Sequence, residues 1–161
     1  MAKKSTASSK ARITVRELKA AEIPSILPMI QHLNPSMTKR LFTARLKEML
    51  PLGYRVVAAF DGNTMVGISG FWIRTRFWCG KQLDVDNFVV APDVRGGGVG
   101  KKLVEWLESR ALAEQCELMV LDTYVSYFLA QRFYFRNGFT NTGFHMTKIP
   151  GSNVPFGQCN K

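Results

Sequence analysis

The chain has little cysteine and histidine, and this scarcity excludes disulfide-dependent and zinc-dependent domains. The three cysteines, Cys79, Cys116 and Cys159, are odd in number and widely spaced, without a Cys-x-x-Cys pair. They fit neither a disulfide framework nor the usual zinc spacings. Because His32 and His145 also stand alone, we expect no metal site.

The sequence also lacks an apolar run of the roughly 20 residues that a membrane-spanning helix needs. Residues 1–12 contain no hydrophobic segment like that of a signal peptide. We therefore expect no membrane association and a cytoplasmic location.

Acidic residues are scarce, since 12 Asp and Glu stand against 22 Lys and Arg and leave a formal net charge of +10. Lys3, Lys4, Lys10 and Arg12 lie in a Ser/Ala/Thr-rich segment without an acid, so we predict a disordered basic tail over residues 1–12. The charge could favour an acidic partner such as RNA or a cofactor's phosphates. A solvated lysine-rich surface is the commoner cause.

The remaining length suits one domain, which we place at residues 13–150 and follow with an irregular tail at 151–161. Hydrophobic periodicity predicts strands at Ile13–Leu18, Tyr54–Phe60, Thr64–Arg76, Gln82–Ala91, Leu118–Leu121 and Phe139–Ile149. It predicts helices at Ala20–Leu33, whose first turns Pro24 and Pro28 restrict, at a segment capped by Ser36 or Thr38, at Val99–Glu114, and at Ser126–Asn137. The inward positions of the helix at Val99–Glu114 are Val99, Leu103, Leu107 and Ala111, and Gly138 is expected to end the helix at Ser126–Asn137. Leu118–Leu121 is a continuous apolar run, as expected of a strand covered on both faces, and the strand, helix, strand order around Val99–Glu114 implies a parallel pair. The fold class is therefore α/β, with a central mixed sheet flanked by helices.

Four glycines fall within five positions, between the predicted strand ending at Ala91 and the helix beginning at Val99. Glycine lets the backbone approach a ligand without a side chain in the way. The first amides of a helix lack internal acceptors and lie at the positive end of its dipole, so they can bind a phosphate oxygen. Arg95, Lys101 and Lys102 add positive charge nearby. A tight turn without a ligand is the alternative interpretation.

The sequence does not match two other phosphate-binding motifs. A Walker-type loop needs glycine where Arg95 stands and a hydroxyl where Lys102 stands. A dinucleotide-binding fingerprint that starts at Gly96 needs glycine where Lys101 stands.

The sequence contains two further motifs, R/Q-x-x-G-x-G/A and A-x-x-x-Y-x-x-x-G-F. They are met by Arg95, Gly98 and Gly100, and by Ala130, Tyr134, Gly138 and Phe139. With them, residues 82–139 resemble the GNAT superfamily of N-acetyltransferases, and element order extends the resemblance over residues 13–81. It implies a GNAT-like acyl-CoA N-acyltransferase fold, in which two parallel strands splay apart at the cofactor cleft.

The resemblance also implies acetyl-CoA as cofactor, bound largely by backbone. The pyrophosphate would lie on the backbone amides of Arg95, Gly96, Gly97, Gly98, Val99 and Gly100, and Lys101 is a further cofactor-binding residue. The pantetheine arm would pair with Phe88, Val89 and Val90.

An amine that attacks a thioester must be neutral, and because an alkyl ammonium has a pKa of about 10, a base or a water chain must remove its proton. Asp86 matches the position where some GNAT enzymes carry an acidic base, and Asp84 is the second candidate. Their spacing puts both on one face of a strand, which we expect them to share with Phe88 and Val90. The alternative is that both carboxylates are solvated or pair with Arg74 or Arg76 across the hairpin.

Tyr134 matches a tyrosine that protonates the leaving thiolate in many GNAT enzymes; a buried aromatic is the alternative. Tyr127 stands where the family often has asparagine. Four other large aromatics are assigned to packing, and the alternative is that exposed aromatics near the hairpin shape an acceptor pocket: Trp72, Phe77, Trp78 and Trp106.

The resemblance predicts transfer of an acetyl group to a primary amine by direct attack in a ternary complex. The acceptor class stays open among small amines, protein amines and aminoacyl-tRNA. The competing hypothesis is a non-catalytic module, either a coenzyme A sensor or a basic nucleic-acid-binding domain. A homodimer is expected only because related enzymes often form one.

Overall fold

The computed structural model describes residues 13–152, which divide between Leu121 and Asp122 into two compact units. The predicted basic tail at 1–12 and residues 153–161 of the predicted C-terminal tail lie outside the described residues. The assignment of one domain to residues 13–150 stays a prediction. Within the described range, no helix combines the length and hydrophobicity needed to cross a bilayer.

The first unit is built on a five-stranded sheet whose spatial order follows the chain, β1-β2-β3-β4-β5. The strands are β1 (Thr14–Glu17), β2 (Arg55–Asp61), β3 (Thr64–Arg76), β4 (Gly80–Val90) and β5 (Leu118–Leu121). The first four pair antiparallel, and β5 pairs with β4 in parallel after a helical crossover. The predicted mixed sheet is confirmed, but β5 is half-buried or exposed, whereas we predicted that both its faces would be covered.

Helices α1 (Leu27–Leu33) and α2 (Lys39–Met49) cover one face of this sheet, and α3 (Val99–Ala113) covers the other. We call these the α1 face and the α3 face. The predicted inward positions of α3 are confirmed, because Val99, Leu103, Leu107 and Ala111 are all buried. On the α1 face the core contains Ile26, Phe42, Val56, Ile68 and Trp72.

Local sequence explains where the two N-terminal helices begin. The predicted helix over Ala20–Leu33 is split into a 3₁₀ turn at Ile23–Ile26 and α1, with Pro24 and Pro28 in their first turns. Proline is tolerated there because the first amides of a helix have no internal acceptor. Of the two caps considered, Thr38 is the one used, since its Oγ1 accepts a hydrogen bond of 3.2 Å from the Leu41 amide.

A bulge interrupts the pairing of β3 with β4. Gly70 pairs with Asp86 and Ile68 with Val89, so Ser69 faces two residues of β4, Asn87 and Phe88. Asn87 has φ 50°, a left-handed conformation that asparagine tolerates better than most residues. The extra residue reverses the alternation of side chains beyond it.

An ion-pair network ties β1, β2 and α3 together. The Glu17 carboxylate accepts hydrogen bonds from Arg55 Nε at 2.7 Å and from Arg110 Nη2 at 2.8 Å. Glu114 adds a second carboxylate, 3.0 Å from Arg55 Nη1. All four side chains are half-buried, so water screens these pairs less than it screens surface pairs.

The second unit contains α4 (Phe128–Arg136), which ends at a glycine cap. Gly138 has φ 86° and its amide donates to the Phe135 carbonyl, while the Phe139 amide donates to the Tyr134 carbonyl at 3.1 Å. These two bonds form a Schellman motif, and the Tyr134 and Phe139 rings lie 5.8 Å apart, as its hydrophobic contact requires. The predicted strand at Phe139–Ile149 is wrong. Residues 140–148 are exposed, so they bury no face that could stabilise a strand.

Candidate functional site

The glycine cluster forms the entrance to α3. After β4 the chain makes a 3₁₀ turn at Pro92–Val94 and reaches Gly98, the residue that precedes α3. Gly96 and Gly98 have φ 82° and 83°, a conformation that costs other residues about 1–2 kcal/mol. Gly98 provides no capping side chain, so no side chain at that position competes with a ligand for the first-turn amides. This backbone arrangement suits a phosphate group.

Gly67 on β3 lets the first turn of α3 pack directly on the sheet. A Cβ at Gly67 would lie 3.0 Å from Val99 Cγ1, 3.2 Å from Leu103 Cδ1 and 3.3 Å from the Val89 carbonyl oxygen. Val99 is 2% exposed. The position of the helix entrance therefore depends on a residue without a side chain, more than 30 residues earlier in the chain.

The predicted cations lie at this entrance but already contact the protein. Arg95 Nε donates to the Val90 carbonyl at 3.3 Å, and Lys102 Nζ donates to the Ile13 carbonyl at 3.0 Å. Lys101 Nζ lies 3.7 Å from Glu105 Oε1, one turn further along α3. Of these side chains, Lys101 is 70% exposed, and its ion pair with Glu105 is exposed and therefore weak enough to be exchanged for a ligand phosphate.

The parallel pairing of β5 stops before β4 ends. It runs from Gln82 paired with Leu118 to Val85 paired with Leu121, whereas β4 continues to Val90. The predicted cofactor-arm positions Phe88, Val89 and Val90 lie in this continuation. Their contact with a cofactor stays a prediction.

Asp84 and Asp86 lie together on the α1 face, but the expectation that they share it with Phe88 and Val90 is wrong. Phe88 and Val90 pack against the α3-face core, because the bulge at Asn87 shifts the alternation by one residue. The carboxylates and these two hydrophobic residues therefore point to opposite sides of the sheet.

The two carboxylates have different partners. Asp84 Oδ2 lies 3.6 Å from Arg74 Nη1, the cross-hairpin pairing considered from the sequence. Asp86 Oδ2 accepts a hydrogen bond of 3.4 Å from Trp72 Nε1. Because Asp84 is already paired with a guanidinium, Asp86 is the better candidate for the base.

Tyr134 lies on α4 in the second unit, half-buried and 5.5 Å from the ring of Phe133. Burial raises the pKa of Tyr134 to about 12. The hydroxyl is therefore protonated at neutral pH and can donate a proton. Its ring also contacts Phe139 in the helix cap, so Tyr134 has a structural role besides any chemical one.

Sequence reasoning missed four contributors to this site: Tyr54, Gly67, Trp72 and Asn87. Trp72 was assigned to packing, and its contact with Asp86 depends on strand register, which no local pattern reveals. The only sequence signal for the bulge was Asn87, an asparagine within a strand pattern. The packing assignment is wrong for Phe77 and Trp78, which are exposed at the β3–β4 turn.

The fold is that of known N-acetyltransferases. An aminoglycoside N-acetyltransferase solved in complex with CoA matches with a TM-score of 0.76 and 18% sequence identity, over 88% of this chain and 96% of that one. The family model for the acetyltransferase (GNAT) family matches residues 26–139. The chain belongs to this family.

Curated relatives agree with the family assignment. The aminoalkylphosphonate N-acetyltransferase of Salmonella typhimurium strain LT2 is 35% identical over 78 residues, 48% of this chain and 49% of the relative. Glucosamine 6-phosphate N-acetyltransferase 1 of Oryza sativa subsp. japonica is 28% identical over 117 residues, 67% of this chain and 71% of the relative. The first of these alignments thus covers only about half of either protein.

Proposed function

We propose that the protein is an N-acetyltransferase that moves an acetyl group from acetyl-CoA to a primary amine. The observation that carries the proposal is the entrance to α3, where Gly96 and Gly98 hold left-handed backbone next to a helix start without a capping side chain. Family membership supports acetyl-CoA as the donor, and this entrance is where the proposal puts its pyrophosphate. Acetyl-CoA supplies an activated acetyl thioester.

The backbone amides from Arg95 to Gly100 bind the pyrophosphate in this proposal, with the charge of Lys101 nearby, and β4 binds the pantetheine arm through Phe88, Val89 and Val90. These residues orient the thioester for attack. Their contribution is positional: holding the thioester in the geometry of attack lowers the activation barrier without a covalent intermediate on the protein.

Asp86 accepts the proton that the acceptor's ammonium group loses, directly or through one water molecule. The neutral nitrogen then forms a bond to the carbonyl carbon, and the carbon–sulfur bond breaks. Tyr134 gives its proton to the departing sulfur, and the second proton that the nitrogen loses as the amide forms passes through solvent back to the Tyr134 oxygen, so the net reaction releases the one proton taken by Asp86. Asp84, paired with Arg74, is the second candidate for the base.

The acceptor class is the open part of the proposal. The relatives' names specify an aminoalkylphosphonate, glucosamine 6-phosphate and, for an enzyme 31% identical over 65 residues, thialysine. These compounds all contain an amine, so they form the first panel for this protein. A peptide amine and an aminoacyl-tRNA complete the panel.

The test has a binding arm and a turnover arm. Calorimetry should detect coenzyme A binding, and thiol release from acetyl-CoA should depend on at least one amine of the panel. Asp86→Asn should lower turnover about a hundredfold without weakening coenzyme A binding, whereas Asp61→Asn, at the last residue of β2, should change neither. Absence of coenzyme A binding by the folded protein would refute the proposal.

Binding without turnover of any amine would instead favour the coenzyme A sensor. A cytoplasmic location, a homodimer and a nucleic-acid partner remain predictions from sequence. Salt-dependent RNA binding, lost on removal of residues 1–12, would support the nucleic-acid hypothesis.

A further inference from the structure

Trp72 is a buried tryptophan, and its one polar atom contacts the candidate base. The side chain is 8% exposed, and Nε1 donates to Asp86 Oδ2 at 3.4 Å. A buried indole N–H requires an acceptor. Here the acceptor is a carboxylate, so the bond favours the charged form of Asp86 over the protonated form.

Neighbouring side chains hold the Trp72 ring in place. The Tyr54 ring lies 5.1 Å away at an interplanar angle of 53°, and the Arg74 guanidinium lies 4.4 Å from the indole. Arg74 Nη1 also lies 3.6 Å from Asp84 Oδ2, on the same face of the sheet. The indole therefore has little freedom to turn its N–H away from Asp86.

Tyr54 is 4% exposed and has room only because residue 70 is glycine. A Cβ at Gly70 would collide with the Tyr54 hydroxyl and ring. The hydroxyl accepts a hydrogen bond of 3.4 Å from Asn87 Nδ2. Burial, and then the negative charge of Asp86, raise the pKa of Tyr54, so its hydroxyl stays protonated beside the carboxylate.

The backbone fixes the other side of the contact. The bulge places Asp86 opposite Gly70 and just before the left-handed Asn87, and the Ser69 hydroxyl, which donates to the Gly70 carbonyl at 2.9 Å, also lies 3.4 Å from the Asp86 carbonyl oxygen. Side chain and main chain of Asp86 are thus both restrained.

We infer that Trp72 is a positioning residue for Asp86: its indole N–H fixes one carboxylate oxygen and keeps the group ionised, so that it is ready to take a proton from the acceptor amine. This inference rests on the proposed function for the role of Asp86 as base. The contact itself can be tested without any acceptor.

The direct test follows the three tryptophan indole N–H signals by NMR as pH is lowered from about 8 to about 3, the range in which an aspartate titrates. Phe substitutions assign the signals. The Trp72 signal should move through an inflection that disappears in Asp86→Asn and persists in Asp84→Asn, whereas Asp86→Asn should leave the pH dependence of the Trp106 signal unchanged. The inference would be overturned if the chemical shift of the Trp72 signal did not change with pH, or if its inflection were unchanged in Asp86→Asn.

The kinetic test uses Trp72→Phe, which keeps an aromatic ring but removes the donor. With the panel amine that turns over fastest, the acidic limb of kcat/KM should move up by about one pH unit. Coenzyme A affinity should not change. The matched control is Trp106→Phe on the α3 face, where an arginine and an aromatic ring also pack on the indole.

A double-mutant cycle separates positioning from simple packing. In the Asp86→Asn background, Trp72→Phe should cost no further activity, because the group it positions is gone. Full additivity, or a loss of kcat/KM with an unmoved pH profile, would contradict the positioning role. If Asp86→Asn alone keeps full turnover, the base assignment fails, and the positioning role fails with it even where the indole titration is observed.

Discussion

Gly67→Ala tests whether close packing between β3 and α3 sets the geometry of the proposed cofactor entrance. The new methyl group would stand 3.0 Å from Val99 Cγ1 and 3.3 Å from the Val89 carbonyl oxygen, both closer than ordinary contact. Val99 cannot rotate away easily, because a β-branched residue in a helix has one strongly preferred rotamer. The first turn of α3 must therefore move.

Overpacking of this kind costs about 2 kcal/mol, which for a protein of this length lowers the melting temperature by about 6 °C. Because the Val99 amide moves with the helix, coenzyme A should also bind about tenfold more weakly, the equivalent of one imperfect hydrogen bond to a phosphate. Thermal unfolding and calorimetry measure the two effects.

Two further variants test whether the effect of Gly67→Ala comes from its contact with Val99. Gly143→Ala is the control, since a Cβ there meets no atom within 4 Å, and we expect no change in either measurement. Val99→Ala removes the atom with which the new methyl group collides, so the double variant with Gly67→Ala should be more stable than the two single effects predict. Unchanged melting and coenzyme A affinity in Gly67→Ala would show that the entrance does not depend on this contact.

Variants at three other positions test separate parts of the molecule. Gly98→Ala, at φ 83° with open space around it, should lose about 1–2 kcal/mol and weaken coenzyme A binding, whereas Gly98→Asn should lose less; urea unfolding and calorimetry compare them. Tyr134 has its pKa raised to about 12, so its contribution to stability is present below pH 10 and lost as pH rises from 10 to 12. In pH-dependent urea unfolding, the Tyr134→Phe variant should lose up to about 2 kcal/mol less stability over this pH range than the unsubstituted protein. A steeper loss of stability in the variant would contradict the assignment. Glu17→Gln should lower the free energy of unfolding by about 1–2 kcal/mol, because Arg55 and Arg110 lose their shared carboxylate; an unchanged urea midpoint would show that the network is not stabilising.

Several features could be predicted from sequence because they are set by neighbouring residues. The inward stripe of α3 follows from helical periodicity, and Val99, Leu103 and Leu107 are buried as predicted. Gly138 ends α4 as predicted, and the spacing from Tyr134 to Phe139 is the spacing of a Schellman cap. The mixed sheet followed from the order of elements, and the family followed from two motifs.

Other features depend on which strand residues face each other, and the sequence alone did not predict them. The single extra residue at Asn87 moved Phe88 and Val90 to the α3 face and left Asp86 beside Trp72. A strand at Phe139–Ile149 was predicted from local pattern, yet its residues lack a buried face. Alternation along a strand is a local property, whereas register, bulges and the partner of a buried indole are decided by contacts between distant segments. The amino-acid sequence thus determined the helix entrance and its glycines, and the tertiary structure determined what surrounds the candidate base.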